Sequence, residues 1–168
     1  MATLTVPSTA SAQYRLPDLI TVGKADSLHA AATAMGQTPG RWGDASRLHR
    51  QSAALRAAED SMGYRCLWHA AQLSYYVRDL SGARSSMAQA AAQALARGDV
   101  LKAAEAYADA AWLASEQHNR GEVWNLGRQA EVLAESPLLR REQRAAILRR
   151  FVHTDGEMAV AADRSSAR

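Results

Sequence analysis

One cysteine, one phenylalanine and four prolines stand among 168 residues, and each scarcity closes a route. A lone thiol, Cys66, excludes an intrachain disulfide and a cluster of thiolate-bound metal. Aromatic residues are only 6% and β-branched residues are scattered, so no alternating run beyond the N-terminus reaches strand length. No apolar run approaches the roughly 20 residues that a membrane-crossing helix needs. A net charge of +3 is too slight to argue for nucleic acid by itself. The motifs of common chemistries are missing as well: there is no HExxH, no GxSxG and no phosphate-cradling glycine loop. His29, His49, His69, His118 and His153 include no close pair at i, i+4. Cys66 and His69 lie three residues apart with no third partner, so Cys66 reads as a small buried thiol rather than a nucleophile. The expectation is a non-catalytic protein without cofactor or metal.

What the chain has is alanine. Apolar residues at 48% and charged residues at 22% fit one globular domain long enough to bury a core. Small side chains at contact positions favour helix packed on helix. Residues 1–25 read as an N-terminal arm, partly disordered and broken by Pro7 and Pro17. Within it, Ala10-Ser11-Ala12 before Gln13 has the small-residue look of an export cleavage site, yet residues 1–9 offer neither a basic start nor an apolar core. The cytoplasm is the expected compartment, with export the alternative if that stretch is the remnant of a longer signal.

From 26 to 168 the pattern predicts a single helical domain. Asp26-Ser27 is placed to cap a first helix that Gly36, Pro39 and Gly40 stop. Further helices are expected over about 42–58, 62–78, 81–96, 100–117 and 122–134. Gly98-Asp99 supplies a left-handed exit followed by an N-cap. Ser136-Pro137 is expected to open an arginine-rich helix to about 152, with a short last helix around 155–162.

The helices fall into pairs. Ala45, Ala83 and Val123 superpose, as do Ser52, Ala90 and Ala130, at offsets of 38 and 40 residues. Leu67, Ala70-Ala71 and Ser74-Tyr75 set a large residue, a small pair and a contact residue in one helix. Tyr107, Ala110-Ala111 and Ala114 repeat the arrangement, and Gly40-Arg41-Trp42 with Ala45 and Ser52 fits a second-helix opening. Over residues 26–137 these features resemble the tetratricopeptide-repeat family, although that family's usual period is shorter. The resemblance implies an all-α, right-handed stack of about three antiparallel helical hairpins, closed by a C-terminal cap helix from about 137.

It also implies a concave groove lined by the first helix of each pair. The positions carried over are Arg65, Trp68, Gln72, Tyr75 and Tyr76 from the second pair, and Glu105, Trp112, Ser115 and Glu116 from the third. The first pair offers Ala30, Ala34 and Gln37. Aromatic area with polar tips suits a peptide or protein partner. The competing reading puts the same rings in the core. Glu105, Asp109, Trp112 and Glu116 share one helix side, an acidic stripe that suits a basic peptide or a cation, or else is a solvated face or pairs with neighbouring arginines. Arg140, Arg141, Arg144, Arg149 and Arg150 read as the outer face of the cap helix, and no nucleic-acid partner is expected. The expected function is a non-catalytic interaction module; the alternative uses the groove as a small-ligand or catalytic pocket.

Overall fold

The computed structural model describes residues 19–150, and among them it contains helices and turns but no strand. The helices are α1 (Leu19–Gly36), α2 (Trp42–Ala54), α3 (Ser61–Tyr76), α4 (Leu80–Ala96), α5 (Val100–Glu116) and α6 (Arg120–Ala134). A 3-10 turn, Pro39–Arg41, joins the first two, and a further helical stretch, α7, covers 141–150. Each of the six helices packs on its neighbours in sequence. The chain is all-α.

The joints explain the order. Asp60, Asp79, Asp99 and Asn119 each turn a side-chain oxygen onto an amide of the next helix, at Met62, Gly82, Lys102 and Glu122 respectively. That satisfies a donor the helix start would otherwise leave bare. At the last three joints the preceding residue takes a left-handed backbone: Arg78 at φ 63°, Gly98 at 73° and His118 at 53°. The cap residue's own amide then donates back to the carbonyl of Ser74, Ala94 or Ala114. The same turn thus recurs every twenty residues.

The interior follows that step. Ala70, Ala90, Ala110 and Ala130 are all fully buried, one per helix from α3 to α6. Gly63, Ala83, Ala103 and Val123 are likewise buried, one in each of the same helices. The unit of repetition is therefore a single helix, and the offsets of 38 and 40 read from the sequence are two steps of it. Methyl groups at these crossings allow the backbones to come close, which is why so alanine-rich a chain can fill its core.

Three boundaries differ from expectation. α1 begins at Leu19, so residues 19–25 of the expected arm are helical, and the rest of it lies outside the described residues. Asp26-Ser27 therefore sits inside a helix, where the Ser27 hydroxyl donates to the Gly23 carbonyl at 2.9 Å instead of capping. α2 stops at Ala54 rather than near 58. Ser136-Pro137 forms a turn, and helix resumes only at 141. There the Arg140 amide donates to Gln143, while Arg144 reaches back to the carbonyls of Ser136 (2.7 Å) and Leu139 (3.2 Å). These bonds hold the turn in place of a continuous helix. Leu139 and Ile147 join the core. The helix expected around 155–162 lies outside the described residues.

Candidate functional site

Residues 68, 72, 75 and 76 share one face of α3, and 109 and 112 share one face of α5, because three- and four-residue steps stack along a helix. These faces line an open cleft of about 280 Å³. Trp68, Gln72, Tyr75 and Tyr76 stand on one side and Asp109 and Trp112 on the other, with Ala71, Met87 and Leu113 completing the lining. Tyr75 and Trp112 meet with ring centres 5.4 Å apart. Trp42 flanks Tyr76 at 5.2 Å, its ring held by a hydrogen bond from Nε1 to the Gly36 carbonyl. Trp68, Tyr75 and Trp112 are half-buried, packing on the core while also lining the cleft. Tyr76 is 58% exposed.

Of the residues expected in a groove, Trp68, Gln72, Tyr75, Tyr76 and Trp112 come together here. Arg65 is exposed and leans on the Met62 sulfur; Glu105 is half-buried and Glu116 exposed, and none of the three lines the cleft. Ser115 is buried, its hydroxyl donating to the Trp112 carbonyl. Asp109 enters from the acidic stripe. Met87 was not legible as a lining residue because it comes from α4, which the family analogy assigns to the outer row.

Asp109 is the charged group at this cleft. Burial raises its carboxyl above the ordinary range; the Arg150 guanidinium, 3.0 Å away, opposes the rise, and the like charge of Glu105 adds to it. A carboxylate so placed gains more than an exposed one from a cationic partner.

A second hollow of about 160 Å³ adjoins the first through Gln72 and Tyr76. Thr33 and Gly36 of α1 and Gln37 just after it line it, together with His49 and His69. Gln37 thus reaches a concave surface, whereas Ala30 and Ala34 are exposed and line neither hollow. His49 is 3% exposed, and its Nδ1 has no hydrogen-bond partner. Burial, with His29 and His69 beside it, pushes its pKa down to about 4, so the ring is neutral near pH 7.

Comparison with protein-family models, curated proteins and solved structures finds no match. No helix among the described residues is long and apolar enough to cross a membrane.

Proposed function

We propose that the chain is a tetratricopeptide-like solenoid in which α1/α2, α3/α4 and α5/α6 form three antiparallel hairpins in a right-handed stack, capped by α7. Packing between consecutive helices and the recurring turn support that reading. Its function is to hold a peptide segment of a partner protein in the cleft between α3 and α5. The observation that carries this is the cleft itself, where three half-buried rings stand beside one carboxylate. The rings offer broad apolar contact at small entropic cost, and Asp109 fixes a basic side chain that displaces Arg150.

The test is fluorescence anisotropy against an array of short peptides pairing an apolar anchor with lysine or arginine. Trp68→Ala with Trp112→Ala is expected to weaken capture at least about thirtyfold, the scale of a hot-spot residue, with helicity by circular dichroism nearly intact. Unfolding of the double variant would place the rings in the core and end the groove reading. Asp109→Asn is expected to weaken basic peptides about tenfold and leave neutral ones unchanged. In the wild type, capture of basic peptides falls on acidification as Asp109 takes a proton. Because its pKa is raised, that loss begins above the pH of an ordinary aspartate, about 3.9.

A further inference from the structure

His29 of α1, His49 of α2 and Cys66 of α3 converge from three helices, and their donor atoms all lie within 4.8 Å of one another. The Cys66 sulfur is 3.4 Å from His29 Nδ1. Metal–sulfur and metal–nitrogen bonds of about 2.3 and 2.0 Å at a tetrahedral angle put the two donors about 3.5 Å apart, so this pair already has ligand spacing. The ring centre of His49 lies 5.3 Å from that of His29.

The place of His49 in the repeat makes it unusual. Leu67 in α3, Met87 in α4 and Tyr107 in α5 occupy the corresponding buried position, so α2 puts an imidazole where its neighbours put a large, mainly apolar side chain. Its Nδ1 is buried without a partner, an arrangement native interiors rarely leave uncompensated. We infer that His29, His49 and Cys66 bind a zinc-class transition-metal ion that ties α1 to α2 and α3.

Two imidazoles and a thiolate form the mixed nitrogen–sulfur set that zinc takes. Burial keeps His49 neutral and also lowers His29, leaving both as the free base that a metal requires. On binding, the Cys66 thiol loses its proton to solvent and the sulfur bonds the ion. Of the cations near the set, Arg56 is paired with Asp26 and Asp60, which offsets its repulsion of a metal ion, and Arg65 is exposed to solvent. His49 also borders the smaller hollow, and His29 is only half-buried, so the set opens towards solvent on the α1 side, where water is the fourth ligand. No local motif marks such a set, because its members come from three helices.

The full chain without an affinity tag, stripped with chelator, is titrated with cobalt(II) and then zinc. One cobalt per chain is expected, with a near-ultraviolet sulfur-to-cobalt charge-transfer band that zinc abolishes, and zinc raises the melting temperature. Cys66→Ser and His49→Leu each delete the band and weaken zinc by about a hundredfold or more, beyond the loss typical of a mere orienting residue. Leucine at 49 is what α3 carries at that position. Should either variant fail to fold, His29→Ala at a half-buried site of α1 gives the same readout. The inference is overturned if wild-type cobalt binding lacks the sulfur band, or if zinc binds the wild type no more tightly than His49→Leu or His29→Ala.

Discussion

The two ends of the stack are held together by different means. Between α5 and α6 the interior is alanine with a few larger apolar groups, among them Tyr107, Leu113, Val123 and Leu126. Between α1, α2 and α3 the buried polar groups Ser46, His49, Ser52 and Ser74 stand among the alanines. There the Ser46 hydroxyl donates to the Ala70 carbonyl (2.8 Å) and lies 2.8 Å from the Ser74 hydroxyl. Ser52 donates to the Ala25 carbonyl (2.7 Å), and Arg56 joins Asp26 to Asp60 with its side chain only 4% exposed. An alanine seam is held by shape and tolerates no bulk; a polar seam is held by direction and tolerates no missing partner. The C-terminal seam therefore depends on size, and the N-terminal one on the completeness of its bonds.

The sharpest break in that contrast is Arg56→Met. It removes the cation between two carboxylates, but Asp26 is 64% exposed and Asp60 33%, so both regain water. The loss is expected at about 2 kcal/mol in urea unfolding, below that of a fully buried pair. Arg50→Met is a milder comparison: Arg50 lies 3.9 Å from Asp79 with both partly exposed and also donates to the Ser74 hydroxyl at 3.2 Å, and about 1 kcal/mol is expected. Acid titration adds a sign. Burial alone would raise the Asp60 carboxyl, but its bonds from Arg56 and the Met62 amide hold it below the usual range. Its contribution is thus present above about pH 4 and lost as pH falls through the lowered value. In Arg56→Met that acid-side loss shrinks. Equal slopes in the two proteins would show that the bridge does not organise the N-terminal seam.

A smaller effect tests completeness directly. Ser46→Ala strips one partner from the Ser74 hydroxyl and is expected to cost about 1 kcal/mol. Ser46→Ala with Ser74→Ala removes both hydroxyls and is expected to cost less than the two single changes together, because neither hydroxyl is then left half-bonded and the loss of the Arg50 bond to Ser74 is already counted in Ser74→Ala. Strict additivity in the double-mutant cycle would mean the hydroxyls act independently and the seam is not a network.

The same contrast decides what could be read from the sequence. α5 and α6 were legible because Gly98-Asp99 marks a joint and the alanines of α5 recur at helical steps. α2 was legible as a helix, and Ser52 fell in line with Ala90 and Ala130, but Ser46 and His49 are polar by type and no step marks them as interior, whereas the fold buries all three. The bonds of Ser46 and Ser52 run to residues 24 to 28 positions away, where no local pattern points. α1 was misplaced for the same reason: the Ala25 carbonyl that Ser52 engages and the Asp26 side chain that Arg56 engages tie its first half down from outside. In the cleft the aromatic rings announced themselves. Asp109 counted only as one member of a stripe until Arg150 and burial singled it out. The histidine and cysteine donors were each visible, but not their meeting.

The finest test compares the three equivalent turns. Gly98 takes φ 73° without strain, and a Cβ built there meets no atom within 4 Å. Gly98→Ala therefore costs only the left-handed backbone penalty, about 1 kcal/mol. Arg78 and His118 carry that penalty already, at φ 63° and 53°. Arg78→Gly and His118→Gly relieve it but loosen the unfolded chain, which offsets part of the gain. Each is expected to stabilise by about 0.5 kcal/mol, read as a shift of the urea midpoint at constant slope. Gains of similar size at 78 and 118, opposite in sign to the loss at 98, would mark the three joints as one device, spanning the polar and the alanine ends alike. If Arg78→Gly destabilises while His118→Gly does not, the twenty-residue step is broken at α3, and the N-terminal seam follows a rule of its own.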